Sequence, residues 1–313
     1  MKIATLDIGT NTVLLLIAET SPGTSNRLIV VEEHAEIARL GEGVDKTGEL
    51  SAAAIERVLE ILARYATRIE AQGVDKVAAI GTQALREVRN GAAFLERARA
   101  ILGCEVEVIS GDREAALSWL ATARSLPSGA GTRRTVVDIG GGSTEILVGG
   151  AQVERGVSVP IGSVRLTERC IAHDPPTEEE KRALVRQIDE ALAAAPTPEG
   201  ELVGIAGTVT TLCAIHLGMT DYDGERVHGL TMKRAEVENV VDGLGRMPVA
   251  DRRRTPGLHP KRADVIYAGG VILLRLMAKG GIEALTVSDR GIRWGLAYEL
   301  AGEPTSATGP TPA

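Results

Sequence analysis

The sequence predicts an α/β protein of two similar domains, each a mixed sheet flanked by helices, with a cleft between them. A strand–turn–strand pattern occurs twice, as TLDIGTNTVLLLIAE (Thr5–Glu19) and VVDIGGGSTEILVGG (Val136–Gly150). Strand and helix signals alternate after each copy, which is typical of crossover connections in a mixed sheet. The 313 residues are enough for two domains of ordinary size.

The composition excludes several classes of protein. The aromatic residues are one Phe, two Trp and four Tyr, so the cores must consist of Leu, Ile, Val and Ala, and a base-stacking platform is not expected. The 42 acidic residues outnumber the 35 basic ones, so a general binder of nucleic acid or anionic membrane is not expected. Cys104, Cys170 and Cys213 lack metal-ligand spacing and are expected to be reduced thiols.

The amino terminus predicts a cytoplasmic protein. MKIATLDIGT enters a strand at once, without the charged leader and apolar region of a secretory signal. The longest apolar run, VLLLIA, has the length of a strand and falls short of the roughly 18 residues of a membrane span.

The first half alternates strand and helix signals. Apolar runs predict strands at residues 3–6, 13–18, 27–35, 77–80 and 105–110. SPGTSN reads as a turn and residues 39–51 as a loop, at whose end Ser51 can cap a helix that Gly73 ends. Further helices are predicted at residues 92–102, stopping at Gly103, and 112–124.

The turn-rich segment SLPSGAGTRR (Ser125–Arg134) predicts the boundary between domains of residues 1–124 and 125–290. Strands are predicted at residues 135–139, 145–148, 152–159, 202–207 and 283–289. Helices are predicted at residues 163–172, 178–194 with Thr177 as cap, 208–218, 263–279 and 292–300. The helix within residues 291–302 is a candidate for joining the first domain, and residues 303–313 read as a disordered tail.

The two glycine-containing turns predict phosphate binding. Backbone amides of Gly-, Ser- and Thr-rich turns form a concave donor surface suited to phosphate. Asp7 and Asp138 end the strands before the turns and can hold a metal ion or its waters; Mg²⁺ suits a phosphate ligand because it uses few carboxylates. Two such turns facing a cleft would hold one phosphate chain, whereas the simpler alternative is a pair of ordinary hairpins.

An ordered set of motifs extends this interpretation. It comprises LDIGTNTVLLLIAE, ARLGEG, AIGTQALREVRN, VISGDREAAL, VVDIGGGSTEILV, PIGSVRLTE, GIAGTVTTL and VSDRGIRWG. Together they resemble the exopolyphosphatase/guanosine pentaphosphate phosphatase family, within the actin-like (ribonuclease H-like) superfamily that includes sugar kinases and Hsp70. The resemblance covers about residues 3 to 301 and fits the short, two-domain members, without the added helical region of longer ones.

The resemblance implies a set of site residues. Glu114 would be the base that activates the attacking water. Mg²⁺ or Mn²⁺ would be placed by Asp138 and Glu145, with Asp7 contributing. Phosphoryl oxygens would be bound by the turn residues and two arginines: Gly9, Thr10, Asn11, Thr12, Arg39, Arg86, Gly140, Gly141, Gly142, Ser143, Thr144, Gly207 and Thr208. The resemblance also implies a homodimer.

Three positions depart from the family pattern. Arg113 replaces the first Glu of an acidic pair, Ala116 replaces an arginine, and Trp294 stands where many members have Glu. The change at Arg113 leaves the charge around Glu114 open.

Structural alternatives exist for each candidate. Glu114 could be an ordinary acid in the first turn of a helix, Arg39 and Arg86 could be ion-pair partners, and Glu145 could face solvent. His216 and His228 are expected to be structural or surface residues. The basic run DRRRTPGLHPKR, residues 251–262, is expected to be a solvated loop, with attraction of a long polyphosphate as the alternative.

The sequence therefore predicts a Mg²⁺-dependent phosphoanhydride hydrolase. Its substrate would be inorganic polyphosphate or the 5′-γ-phosphate of guanosine pentaphosphate, and the short chain with few aromatic residues favours polyphosphate. The other hypotheses are a superfamily kinase, which would need an adenine pocket and an acceptor-deprotonating Asp, and a catalytically silent nucleotide-binding regulator.

Overall fold

The computed structural model describes residues 1–20, 28–129 and 132–302. The described chain divides into two compact units. Unit 1 comprises Met1–Arg124 and the chain from Ile292 onward, and unit 2 comprises Ser125–Gly291. The predicted turn SPGTSN, the first residue of the predicted third strand and the predicted tail at residues 303–313 lie outside the described residues.

Unit 1 contains a five-stranded sheet in the order β3-β2-β1-β4-β5. Its strands are β1 (Lys2–Ile8), β2 (Thr12–Thr20), β3 (Leu28–Ile37), β4 (Lys76–Gly81) and β5 (Val106–Val108). The first three strands form an antiparallel meander, and β4 and β5 continue the sheet parallel to β1. Parallel pairing places the carboxyl ends of β1 and β4 at the same edge of the sheet.

The helices of unit 1 begin and end at the residues that local chemistry favours. They are α1 (Val44–Thr47), α2 (Ala52–Ala71), α3 (Gln83–Glu87), α4 (Gly91–Leu102), α5 (Gly111–Ser125) and, late in the chain, α13 (Ile292–Leu300). The predicted Ser51 cap is confirmed, because its Oγ accepts the Ala54 amide at 3.2 Å. Gly103 ends α4 in the left-handed conformation, as predicted.

Unit 2 contains a six-stranded sheet in the order β10-β11-β9-β6-β7-β8. Its strands are β6 (Arg134–Ile139), β7 (Thr144–Gly149), β8 (Val153–Val159), β9 (Glu201–Ile205), β10 (Thr231–Lys233) and β11 (Ala284–Val287). Strands β6, β7 and β8 form an antiparallel meander, while β9 runs parallel to β6. The sheet repeats the arrangement of unit 1, which confirms the predicted α/β class with two mixed sheets flanked by helices.

The helices of unit 2 pack around one large apolar cluster. They are α6 (Ser163–Cys170), α7 (Glu178–Leu192), α8 (Ala206–His216), α9 (Gly224–Val227), α10 (Arg234–Arg246), α11 (Val249–Arg252) and α12 (Ile266–Gly280). Thr177 caps α7 in a capping box with Glu180, as predicted. The helix predicted at residues 263–279 is α12, most of whose residues are buried.

Several elements were not predicted. The expected loop of residues 39–51 contains α1, and α3 follows β4 directly. Residues 219–250, for which no element was predicted, contain α9, β10, α10 and the start of α11. The expectation that residues 251–262 form a solvated loop is wrong for Arg252, whose side chain is buried among the helices of unit 2.

The carboxy-terminal helix completes the core of unit 1. Trp294, Ala297 and Tyr298 of α13 pack with Ile3 and Leu16 of the sheet. The Thr5 hydroxyl donates to the carbonyl of Arg293 at 2.8 Å, which fixes the start of this helix against β1. Helices α2 and α4 cover the opposite face of the same sheet.

Two further observations concern the described part of the chain. None of its helices combines the length and the apolar composition that crossing a membrane requires. Cys104, Cys170 and Cys213 are free thiols, as expected.

Helix α10 provides a test of this packing. A Cβ at Gly245 would lie 2.6 Å from the Tyr267 ring, whereas a Cβ at Gly243 meets no atom within 4 Å. We expect Gly245→Ala to destabilise the protein by about 1–3 kcal/mol through overpacking, and Gly243→Ala to stabilise it by up to about 1 kcal/mol through helix propensity. Melting temperatures of the two variants check this, and shifts in the same direction would contradict it.

Candidate active site

In the turn between β1 and β2, amides of neighbouring segments donate to the backbone carbonyls, which leaves two amides of the turn free to bind a ligand. The Gly9 amide donates to the Thr12 carbonyl at 3.0 Å and closes the turn. The Thr10 carbonyl accepts the Gly41 amide at 2.8 Å, and the Asn11 carbonyl accepts the amides of residues 38 and 39 at 3.0 Å each. The described residues offer no hydrogen-bond acceptor to the Thr10 and Asn11 amides. These amides are therefore available to an anion.

The turn between β6 and β7 has the same construction. The Gly140 amide donates to the Ser143 carbonyl at 3.0 Å. The first amides of α6 hold the other carbonyls: Ser163 donates to Gly140 at 3.0 Å and Val164 to Gly141 at 2.9 Å. Within the described ranges, no acceptor is paired with the amides of residues 141–143. Both predicted phosphate-binding turns thus present backbone donors on one side.

Close backbone approach explains a glycine behind each turn. A Cβ at Gly162 would lie 2.4 Å from the carbonyl carbon and oxygen of Gly141. A Cβ at Gly41 would lie 2.3 Å from Cγ2 of Thr10. A side chain at Gly162 would displace the backbone of its turn, and one at Gly41 would displace the Thr10 side chain, because real Cβ contacts do not approach so closely.

A third segment lies beside each turn, at the end of the neighbouring parallel strand. In unit 2 it contains Gly207 and Thr208, which were predicted to form a turn and lie instead in the first turn of α8. The Thr208 hydroxyl donates to the Ile139 carbonyl at 2.8 Å, which joins this segment to the end of β6. The amino terminus of a helix favours a bound phosphate.

The corresponding segment of unit 1 was missed by the sequence analysis. Thr82 and Gln83 follow β4 and are buried. The Thr10 hydroxyl donates to Oε1 of Gln83 at 3.0 Å. The signal was present, since AIGTQ at the end of β4 resembles IAGTV at the end of β9.

Backbone strain coincides with these segments. Among the described non-glycine residues, only Arg39 (φ 52°) and Ala206 (φ 65°) have positive φ. Arg39 donates its amide to the turn of unit 1, and Ala206 immediately precedes Gly207. Such strain is often retained at functional sites.

Glu114 lies in the first turn of α5 and is buried, with 5 % of its surface exposed. Nη1 of Arg86 donates to Oε2 of Glu114 at 2.6 Å and to the Ile109 carbonyl at 2.9 Å. Burial raises the pKa of Glu114, while the charge and hydrogen bond of Arg86 lower it. A carboxyl group with a raised pKa is suited to exchanging a proton with water near neutral pH.

Arg86 forms an ion pair, which was the structural role considered for it in place of phosphate binding. It nevertheless keeps nitrogen donors that could bind a phosphate. Both of its bonds use Nη1, and within the described part of the chain Nε and Nη2 have no partner. The side chain is about one fifth exposed, at 21 %. Arg86 can therefore hold Glu114 and contact a phosphate at the same time.

Asp7 is buried at the end of β1, and its Oδ1 has no hydrogen-bond partner among the described residues. Burial, and then the charge of Glu114, raise the pKa of Asp7 to about 7, against a smaller lowering by Arg293. The Oδ1 atom of Asn11 is likewise buried without a described partner. Two oxygens in this state fit a divalent cation or its waters.

Asp138 and Glu145 face each other across β6 and β7. Both are buried, with 4 % and 1 % of their surface exposed, so the alternative that Glu145 faces solvent is wrong. Directly opposite residues on antiparallel strands project from the same face. The Ser158 hydroxyl donates to Oε1 of Glu145 at 2.6 Å.

These oxygen donors fit Mg²⁺ or Mn²⁺ better than a softer metal. Within the described ranges, no group of three or more His, Cys, Asp or Glu residues could enclose a metal. Mg²⁺ commonly binds only one or two carboxylates and keeps its other coordination positions for water and phosphate.

The other sequence candidates have structural partners. Arg39 lies 3.9 Å from Glu42. His216 lies 4.0 Å from Glu236, and Nε2 of His228 lies 3.4 Å from the Ser125 carbonyl. The hydroxyl of Thr144 donates to the Ile161 carbonyl at 2.7 Å, so its hydroxyl hydrogen is already used.

The three residues that depart from the family pattern all lie in unit 1, and two of them make polar contacts there. Arg113 forms a two-bond ion pair with Glu299 of α13 and is not among the groups that shift the pKa of Glu114. Trp294 is buried, and its indole nitrogen donates to Glu33 at 2.8 Å. Ala116 is exposed.

Two mixed sheets of matching order, each with an amide-lined turn and buried carboxylates, define a two-domain phosphate-handling protein of the actin-like type. The chain matches the model of the Ppx/GppA phosphatase family over residues 16–303, and it belongs to that family. The sequence-based identification of the family is thereby confirmed.

Relatives and solved structures agree with this assignment. Exopolyphosphatase 2 of Mycobacterium tuberculosis is 39 % identical, over 96 % of this chain and 99 % of that protein. Guanosine-5′-triphosphate,3′-diphosphate pyrophosphatase of Vibrio vulnificus is 29 % identical, over 96 % of this chain but 59 % of that protein. The crystal structure of the Aquifex aeolicus Ppx/GppA family member is 35 % identical with a TM-score of 0.81, covering 96 % of this chain and 97 % of that one.

The raised pKa of Asp7 predicts a pH-dependent stability in the presence of a chelator. Between its ordinary value of 3.8 and about 7, the folded protein binds the proton more tightly than the unfolded chain does. The free energy of unfolding should therefore fall as the pH rises through this window. We expect Asp7→Asn to abolish this fall, so that the variant gains stability over the wild type above about pH 7.

Urea unfolding at several pH values with EDTA measures this effect. Asp112→Asn is the control, because Asp112 is an exposed carboxylate of the same unit. Parallel curves for the wild type and Asp7→Asn would contradict the prediction.

Proposed function

We propose that this protein is a Mg²⁺-dependent exopolyphosphatase that releases the terminal phosphate of inorganic polyphosphate by attack of water. The observation that carries the proposal is Glu114, a buried carboxylate with a raised pKa held by Arg86. The names of its relatives support the reaction class, because they include an exopolyphosphatase and a guanosine pentaphosphate-type pyrophosphatase.

Glu114 is the proposed general base. Its Oε2 is held by Arg86, which leaves Oε1 to accept a proton from the attacking water. The raised pKa makes the carboxylate a stronger base, while the charge and hydrogen bond of Arg86 favour its ionised form. In phosphoryl transfer, positioning and charge neutralisation supply most of the catalysis.

The amide-lined turns are the proposed phosphate sites. The amides of Thr10 and Asn11 in unit 1, and those of residues 141–143 in unit 2, would donate to phosphoryl oxygens. Gly207 and Thr208 would add the amino terminus of α8, and Nε and Nη2 of Arg86 would add a cation. Donors that are already oriented need no reorganisation during the reaction.

Asp138 and Glu145 of unit 2 are the proposed ligands of the divalent cation, and Asp7 of unit 1 is a further candidate. When bound, the cation would neutralise charge on the phosphoryl oxygens. Asp7 would then be ionised, because a nearby positive charge lowers the pKa of a carboxyl group.

The hydrolysis of guanosine pentaphosphate is the second candidate. It is favoured by the 29 % identity to the Vibrio vulnificus pyrophosphatase, which nevertheless extends well beyond this chain. The higher identity to exopolyphosphatase 2, over nearly all of both proteins, supports polyphosphate as the main substrate. Homodimer assembly belongs to the proposal through the family resemblance, and a cytoplasmic location remains a prediction from the sequence.

We expect Glu114→Gln to lower kcat for polyphosphate by about 10²- to 10⁴-fold, because the variant keeps the shape of the side chain but loses the base. Released phosphate is measured with Mg²⁺ and polyphosphate, guanosine pentaphosphate or ATP as substrate. Glu107→Gln is the control, because Glu107 is an exposed carboxylate on β5.

Each result has a distinct meaning. Circular dichroism and the melting temperature must first show that Glu114→Gln is folded, since it leaves Arg86 without its ionic partner. A folded variant with wild-type kcat would exclude Glu114 as the base. Binding without turnover by the wild type would favour a regulator, and transfer of phosphate from ATP to an acceptor would favour a kinase.

Arg86→Gln should change the pH profile of the reaction. Because Arg86 lowers the pKa of Glu114, its removal raises that pKa further, and the base becomes ionised only at higher pH. We expect the acidic limb of the kcat profile to move to higher pH, together with a higher KM for polyphosphate. An unchanged acidic limb would show that the limb reports another group.

A further inference from the structure

The basic segment of residues 251–262 in unit 2 has no role in the proposed chemistry. It contains five Lys or Arg residues and one acid, in a chain whose net charge is −7. Such a local concentration of positive charge in an acidic protein attracts polyanions.

Buried contacts fix the start of the segment. The Arg252 side chain is 1 % exposed. Its Nε donates to the Leu244 carbonyl at 2.7 Å and its Nη1 to the Ala263 carbonyl at 3.3 Å. Since Ala263 directly follows the segment, Arg252 joins the two ends of the segment to each other.

The middle of the segment lies directly on helix α8. Gly257 has φ 82°, and a Cβ there would lie 2.3 Å from the carbonyl carbon and oxygen of Ala214. Leu258 is buried in the core of unit 2. The backbone of the segment is therefore held against the carboxyl-terminal half of α8.

The end of the segment reaches the predicted phosphate-binding turn. Nη1 of Arg262 lies 1.9 Å from the position that a Cβ on Gly207 would take. The segment thus follows α8 from Ala214 back to Gly207, which is roughly 10 Å of helix.

Cationic side chains project from this ordered backbone. Arg253, Arg254 and Lys261 are exposed. Arg254 forms an ion pair with Asp251, so part of its charge is already neutralised. Because the backbone is already ordered, binding a polyanion there costs little conformational entropy.

We propose that residues 253–261 bind distal phosphates of a polyphosphate chain whose nearer phosphates lie at Gly207 and Thr208, and that they make the enzyme select long chains. This inference rests on the proposed function, because it assigns the chain-length preference of the same site. Arg and Lys both bind phosphate through charge-assisted hydrogen bonds. Since these side chains are exposed, their contribution is modest and decreases with salt.

The test compares two variants that change the net charge equally. The variant Arg253→Gln/Lys261→Gln removes two cations of the segment, and Arg182→Gln/Arg186→Gln removes two exposed cations of α7. We measure kcat and KM for tripolyphosphate and for long-chain polyphosphate at low and high ionic strength. We expect the segment variant to raise KM for the long chain about three- to tenfold at low salt.

The other values decide whether the proposal holds. We expect kcat, KM for tripolyphosphate and all values of the α7 variant to equal those of the wild type. A long-chain KM that is unchanged in the segment variant overturns the proposal. A KM that rises equally for tripolyphosphate also overturns it, because the segment would then act on the terminal phosphates or on the fold.

Direct binding separates this proposal from the proposed function. Long-chain polyphosphate is titrated into Glu114→Gln, alone and combined with the segment substitutions. Weaker binding by the combined variant supports the segment as a binding surface even if the wild type releases no phosphate, a result that would refute the proposed function by itself. Equal binding overturns the role of the segment.

Discussion

Amides from neighbouring segments hold the carbonyl oxygens of both hairpin turns, and the candidate site depends on these hydrogen bonds. Gly41 holds the turn after β1, and the first amides of α6 hold the turn after β6. In a trans peptide group the carbonyl and the amide point in opposite directions. Fixing the carbonyls of Thr10, Gly140 and Gly141 on one side therefore turns the amides of the following residues to the other side. The requirement for glycine at residues 41 and 162 follows from the same close approach. The turns are thus oriented before any ligand arrives, which is the condition for electrostatic catalysis by backbone dipoles.

In unit 1, opposing effects act on the ionisation of the two buried carboxylates Asp7 and Glu114. The charge of Glu114 raises the pKa of Asp7; Arg293 lowers the pKa of Asp7, and Arg86 lowers that of Glu114. Two buried carboxylates are costly to ionise, and in the proposed function a bound cation would reduce this cost. Buried carboxylates of this kind lower the free energy of unfolding, which is a common cost of a functional site.

The sequence allowed the strands of both meanders and the helices with standard caps to be predicted, because the apolar runs and the residues Ser51 and Thr177 carry direct physical signals. Helix α10 was missed because Lys233 precedes it in place of a capping side chain, while Gly243, Gly245 and several valines weaken its helical pattern. Similarity to a family indicated Glu114. Its ion pair with Arg86, the buried state of Arg252 and the bond from Thr10 to Gln83 depend on tertiary packing, which residue spacing does not encode.

Helix α13 has a consequence for how the chain is made. Unit 2 is continuous in sequence, whereas the apolar cluster of Ile3, Leu16 and Ala18 is completed by residues near position 297. During synthesis on the ribosome, the first half of the protein is exposed long before the helix that covers one face of its sheet. Unit 2 is synthesised without interruption, whereas this cluster of unit 1 is complete only after α13 has been made. One apolar face of the amino-terminal sheet is therefore open to aggregation until α13 has emerged.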